Sequence, residues 1–216
     1  MPLKGGISFR QYRTIDLLCF TVILCFSECL IVKACSSWFA DQLYVVSPVA
    51  AVVAIVMMRW GPFAAVQAVV GGAVYCLISG GGWQQLLVYG IGNLGGLAAL
   101  SFFRWKPKED LRGSVSATLW FAAAAQAGML LGRALMALCV GLGGEAALGF
   151  ITTDVLSFVF TLVILWVARK VNGLFEDQKH YLFRIQRESA EEAESKAVLS
   201  EISSSDGESI GRGSHS

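Results

Sequence analysis

Apolar residues in this chain run in long blocks rather than in the narrow periodic stripes of a soluble core. Six blocks, about 15–35, 42–58, 62–79, 84–103, 115–140 and 149–169, come close to or exceed the roughly 20 residues a helix needs to cross about 30 Å of hydrocarbon. The second and third are short and separated only by Arg59-Trp60-Gly61-Pro62, which predicts a helical hairpin with a tight turn. The pattern predicts an all-α integral membrane bundle of six transmembrane helices and no soluble domain of any size. The chain then divides into a cytoplasmic amino-terminal segment (1–13), the six-helix domain (14–171), an amphipathic cytoplasmic segment (172–188) and a disordered, serine-rich and glycine-rich tail (189–216).

Net charge is nearly zero, but its distribution is informative. Lys4, Arg10 and Arg13 precede the first block, Arg59 lies in the second connection, Arg104, Lys106, Lys108 and Arg112 crowd the fourth, and Arg169, Lys170 and Lys179 follow the last. The alternate connections, near 36–41, 80–84 and 141–148, contain no Lys or Arg. By the positive-inside rule both termini are expected in the cytoplasm of a multi-pass protein of the bacterial cell (inner, plasma) membrane. The first block follows basic residues and has no small-residue cleavage site, so it is expected to be a retained span.

Several kinds of chemistry are disfavoured. No G-x-x-x-x-G-K-[ST] loop, H-E-x-x-H or G-x-S-x-G motif is present. The two histidines, His180 and His215, lie in the carboxy-terminal segments, away from the apolar blocks. The six cysteines form no C-x-x-C pair and read as small apolar helix residues; of them only Cys35 and Cys139 are placed to meet. No enzyme, metal, cofactor or nucleic-acid partner is expected.

Polar residues inside the blocks carry the functional expectation. Glu28 and Lys33 lie in the first, Asn93 in the fourth, Arg133 in the fifth, and Asp154 in the sixth. Ionisable groups at such depth cost roughly 2.5–3.5 kcal/mol each on insertion scales, and face a bundle interior or a watery cavity. Glu28, Asn93, Arg133 and Asp154 are therefore expected to share one polar pocket opening outward, although Arg133 paired with Glu28 or Asp154 also suits a purely structural ion pair. Lys33 is expected to snorkel to the outer surface, and Gln67 and Gln126 to serve packing. Trp38, Asp41, Trp83, Gln84, Gln85 and Glu145 would surround the mouth, with Trp38 and Trp83 stacking on ligand or anchoring at the interface. Glycines flanking Asn93 in GGGWQQLLVYGIGNLGG would admit a neighbouring helix or a ligand. Ala64, Ala68 and Gly72, and likewise Ala124, Gly128 and Gly132, form small-residue faces suited to tight packing or to docking of another membrane protein.

Over most of residues 10–188 the chain resembles the substrate-binding S components of energy-coupling factor (ECF) transporters, bacterial importers of vitamins and other micronutrients. The resemblance rests on the six-block layout, on SPVAAVVAIVMMRWGPFAAVQAVVGGAVYCLISGGG, on YGIGNLGG and on VNGLFEDQKHYLFRIQ. It implies a small bundle that captures substrate from outside, docks onto a transmembrane coupling protein carrying two ATPase subunits, and topples within the bilayer to release its cargo. The first block, LLCFTVILCFSECLIV, lacks the A-x-x-x-A docking pattern common in that family, so Ala50, Ala54, Ala64 and Ala68 become the docking candidates. Met1-Pro2-Leu3 offers no histidine of the kind used by the nickel and cobalt branch, and the expected substrate is a small polar organic molecule. A competing expectation is a structural membrane protein that scaffolds envelope machinery, of the rod-shape determinant type. A membrane-embedded enzyme using Glu28 and Asp154 as acid and base comes third.

Overall fold

The computed structural model describes residues 8–38, 46–171, 173–178, 181–184, 187–188, 190–191 and 195–196. It forms two compact units, Arg10–Asp177 and one made from the two chain ends, Met1–Phe9 with Gln178–Ser216. In the terminal unit the Phe9 and Phe183 rings stack with centroids 6.4 Å apart, Leu182 is buried, and Arg187 donates to Glu191 at 3.2 Å on an exposed helical face. The segment expected to be amphipathic over 172–188 is divided between the units: Gly173–Asp177 belongs to the larger one, where Phe175 is buried. The disordered tail expected over 189–216 lies outside the described residues except at 190, 191, 195 and 196, which are helical.

The larger unit is a helical bundle: α1 (Phe9–Trp38), α2 (Val49–Trp60), α3 (Ala65–Ser79), α4 (Trp83–Gly92), α5 (Lys108–Gly113), α6 (Val115–Cys139), α7 (Gly143–Thr152) and α8 (Val155–Ala168). A 3-10 turn, Gly61–Ala64, joins α2 to α3, and a long 3-10 helix, Asn93–Arg104, continues α4. Among the described residues five helical segments are long and apolar enough to cross a bilayer: Phe9–Ser37, Val49–Ser79, Trp83–Arg104, Val115–Cys139 and Gly143–Ala168. The protein is therefore membrane-embedded. Many large aliphatic and aromatic side chains are exposed, such as Leu18, Val22 and Phe26 on α1, as befits a surface solvated by lipid.

The segment Val49–Ser79 is folded back on itself. Gly61 sits at φ 61°, on the left-handed side that a side chain disfavours, and a β-carbon on Gly71 would fall 2.7 Å from Val49 although the two are 71 − 49 = 22 positions apart. A straight helix would separate them by about 33 Å. The expected hairpin is thus present, but its first arm is short. At 12 residues, α2 rises only about 18 Å, well under a bilayer core. The same β-carbon would meet Leu24 in the middle of α1, whereas Arg59 at the far end of α2 pairs with Asp16 near the start of α1. α2 therefore begins at mid-depth in the bundle, not at the residue-42 boundary expected from hydropathy. The Ser47-Pro48 pair explains the start: the Ser47 hydroxyl accepts from Val49 N at 3.3 Å, and proline occupies a position where no helical N–H is needed.

One end of the bundle collects the basic connections. The Arg59 guanidinium donates to both Asp16 carboxylate oxygens and to the Gly173 carbonyl, and the Trp60 indole also donates to Asp16. Lys108 pairs with Asp177 at 2.6 Å and Arg112 with Glu176 at 3.4 Å. The start of α1, the α2–α3 turn, α5 and the chain beyond α8 thus share one end.

The α4 segment and α6 pack backbone against backbone. A β-carbon on Gly132 would strike the Gly92 carbonyl oxygen, and one on Gly95 the Gly128 carbonyl oxygen, so the two backbones touch. Beyond Asn93 the 3-10 winding, with three residues per turn, aligns the buried residues Asn93, Gly96 and Ala99 in one row. The small-residue faces expected on α3 and α6 are consumed by this internal packing. Gly132→Ala is expected to lower the thermal midpoint of the protein in nanodiscs by an amount equivalent to about 1–3 kcal/mol of overpacking. Gly144→Ala, which meets only open space on α7, should leave the midpoint unchanged or slightly raised.

Candidate functional site: a buried polar centre at the helix breaks

Arg133 lies on the inward face of α6 and is 3% exposed. Its Nε donates to Asn93 Oδ1 at 2.6 Å and its Nη1 to Asp154 Oδ2 at 2.9 Å, and the guanidinium carbon sits 4.8 Å from the centroid of the Tyr89 ring. Gln126, two helical turns before Arg133, donates to the same Asp154 oxygen at 2.7 Å and receives a 3.4 Å contact from the Thr161 hydroxyl. Asn93 donates its amide to the Ala68 carbonyl at 3.2 Å, drawing α3 into the network. Gly72 makes room, since a β-carbon there would fall 2.7 Å from the Asn93 amide nitrogen.

Three helix discontinuities converge here. Asn93 is where α4 changes from α to 3-10 winding, and Asp154 is the residue between α7 and α8. At the third, the start of α2, Ser47 N donates to Ser157 Oγ at 3.0 Å, fixing the α2 start against α8. Breaks of this kind expose backbone and polar side chains at a depth where continuous helices show neither, and membrane transport proteins bind small solutes at such places.

Glu28 completes the centre from the buried face of α1, one turn beyond Leu24, and is 0% exposed. Ser47 lies beside it, and it is near enough to Arg133 and Asp154 to feel their charges. No hydrogen bond of ordinary geometry reaches the Glu28 carboxylate oxygens or Asp154 Oδ1 among the described residues, although the Ser47 hydroxyl lies within reach of Glu28 and the Ser157 hydroxyl within reach of Asp154. Glu28, Asn93, Arg133 and Asp154 are thus gathered in one place, and Arg133 pairs with Asp154.

The other expected residues are placed differently. Trp83 is 67% exposed in the first turn of α4, about 15 Å along the axis from Asn93, so it is not part of the centre. Trp38 closes α1 and is described by its backbone alone, and Asp41 lies outside the described residues. Gln84 donates to the Val140 carbonyl, and Glu145 is exposed on α7. Lys33 is exposed, as snorkelling requires. The docking expectation for Ala50, Ala54, Ala64 and Ala68 is corrected: all four are at most 3% exposed and pack inside the bundle, leaving no surface for a partner. Gln67 serves packing, donating to the Leu17 carbonyl and the Thr21 hydroxyl on α1, but Gln126 belongs to the polar centre. All six cysteines are free thiols, Cys35 and Cys139 included.

Tyr89, Gln126, Ser157, Thr161 and Ser47 were not among the expected site residues. Spacing could have found several of them. Tyr89 precedes Asn93 by four residues, Gln126 precedes Arg133 by seven, and Ser157 and Thr161 follow Asp154 by three and seven, all same-face helical intervals. Comparison with protein-family models, with curated proteins and with solved structures finds no match.

Removing one member of a buried pair strands the other. Arg133→Met alone is expected to destabilise the protein by about 3–5 kcal/mol in thermal or denaturant unfolding, while Arg133→Met combined with Asp154→Leu should recover most of that loss.

Proposed function

We propose that this protein is the substrate-capture subunit of an ECF-type, ATP-dependent importer, binding a small polar micronutrient in the centre formed by Glu28, Asn93, Arg133 and Asp154. The observation that carries the reading is the combination of the Arg133 network with a second acidic residue, Glu28, fully buried beside it at the meeting of three helix breaks.

On this reading the chain passes between the two membrane faces six times, with α2 as an incomplete arm. The end holding Arg59, Lys108 and Arg112 faces the cytoplasm, following the positive-inside rule. Substrate enters from the opposite end, past the connection before α2 and the α3–α4 and α6–α7 turns. The coupling protein and its two ATPase subunits supply the energy. They dock on a lipid-facing surface other than the four buried alanines.

Affinity purification from native membranes tests the assignment. The protein should bring down a transmembrane partner together with two nucleotide-binding subunits, and the reconstituted complex should import a micronutrient only with ATP. Recovery with envelope-synthesis proteins instead, with function kept when Glu28 and Arg133 are exchanged, would replace this reading with a scaffold.

A further inference from the structure

A groove of about 530 Å³ runs between α6 and α8, lined by Val115, Leu119, Trp120 and Ala123 on the first and Phe158 and Leu162 on the second, with the Ser116 hydroxyl as its one polar side-chain group. Trp120 is 67% exposed, so the groove faces outward into lipid. Such walls offer water almost no hydrogen bonds, and an empty groove forfeits dispersion contacts along its whole lining. What fills it in a bilayer is hydrocarbon.

The groove opens toward the basic end of the bundle. Gln126 and Thr161 meet at 3.4 Å, which sets α6 and α8 level at that depth. Val115 lies 126 − 115 = 11 positions away, about 16 Å along α6, next to α5 with Lys108 and Arg112. At the same end α8 closes with Arg169 and Lys170. Arg169 keeps helical dihedrals (φ −61°, ψ −24°), so its seven-residue interval from Leu162 puts it on the groove's stripe of α8, about 10 Å nearer the basic end. A long side chain on a helix leans back over the preceding turn, here toward Leu162.

Arg169 Nη1 is buried, and no acceptor meets it among the described residues. A guanidinium N–H left unmet in apolar surroundings is costly, so the position calls for an acceptor. Three carboxylates at this end are held elsewhere: Asp16 by Arg59, Glu176 by Arg112 and Asp177 by Lys108. Lys170 carries its ammonium over the Trp166 ring, 4.4 Å from the centroid, and adds a second positive charge at the mouth. An apolar slot that ends at two cations matches an amphiphile with a hydrocarbon tail and an anionic head.

We infer that the groove between α6 and α8 holds an acyl chain of an anionic glycerophospholipid, from the leaflet at the basic end, whose phosphate accepts from Arg169 beside Lys170. The site is separate from the polar centre and does not depend on the importer reading.

The protein, purified in detergent and stripped of lipid, is incubated with equal amounts of phosphatidylglycerol and phosphatidylcholine carrying the same acyl chains, and the retained lipid is read by native mass spectrometry. One phosphatidylglycerol per protein is expected, favoured by about fivefold or more, the factor that one cation near an anionic surface gives. Arg169→Gln should remove most of the preference and Arg169→Lys keep part of it. Lys106→Gln, an exposed cation at the same end that does not line the groove, should leave it unchanged. Leu119→Trp, which fills the groove and spares both cations, should weaken retention of both lipids, and glycerol 3-phosphate, a head without a tail, should not bind. Equal retention of the two lipids, a preference that survives Arg169→Gln or falls as far with Lys106→Gln, retention untouched by Leu119→Trp, or binding of glycerol 3-phosphate as tight as that of lipid would overturn the inference. So would a protein that retains no lipid, the result expected if the groove receives another protein's helix. If Arg169→Gln does not fold, the lipid comparison on the unaltered protein, with Lys106→Gln and Leu119→Trp, decides.

Discussion

A guanidinium buried among hydrocarbon must have its donors and its charge met at once, and much of this bundle is arranged around meeting them for Arg133. No single helix can do so. Asn93 comes from the end of α4, Asp154 from the head of α8, Gln126 from α6 itself and the Tyr89 ring from α4, so four side chains on three helices are bound to one position. Asn93 passes the constraint to α3 through the Ala68 carbonyl. Once Arg133 is committed in this way, its network fixes the relative depth of those helices, because a slip of one residue along any of them would strand a charge.

The irregular backbone follows from the same requirement. Side chains as short as those of Asn and Asp reach a central guanidinium only if their helices come close, and glycine at 92, 95, 128 and 132 permits backbone contact between the α4 segment and α6. The change to 3-10 winding after Gly92 keeps Gly96 and Ala99 in register with Asn93. The gap between α7 and α8 places Asp154 at the head of a helix, where backbone N–H groups favour a carboxylate. The short α2, begun by Ser47-Pro48 at mid-depth, brings Ser47 beside Glu28. Arg133 and Asp154 hold the centre together, with Glu28 buried beside them on α1.

Much of this was legible in the sequence, for a physical reason. Lipid imposes long apolar blocks and makes every interior charge conspicuous, so the helical bundle and the set Glu28, Asn93, Arg133 and Asp154 could be read directly. The clustering of positive loops at one end could be read as well. What escaped were features that depend on local packing. Hydropathy does not distinguish a full span from a 12-residue arm with an apolar lead-in, so the start of α2 was placed seven residues too early (42 instead of 49). Alanines at four-residue spacing look alike whether they face a partner or a neighbouring helix, and here Ala50, Ala54, Ala64 and Ala68 face inward. Trp83, expected at the mouth as a ligand-stacking or interfacial side chain, lies at the end of the bundle, ten residues before Asn93. Gln126 reads as a packing residue because an amide in a span carries no charge to draw attention, although its seven-residue interval from Arg133 marks the same face.

Whether the centre receives a ligand can be tested without knowing the ligand. Native mass spectrometry of the purified protein, incubated with a concentrated small-molecule extract of rich bacterial medium, reads any occupant by its mass. A single small-molecule adduct at one-to-one stoichiometry, kept in Trp83→Ala and lost in Glu28→Gln, is the result expected of a binding centre built on Glu28 and Arg133. A protein that stays free of adducts, or one that carries the same adduct in Glu28→Gln as in the unaltered chain, would contradict the account.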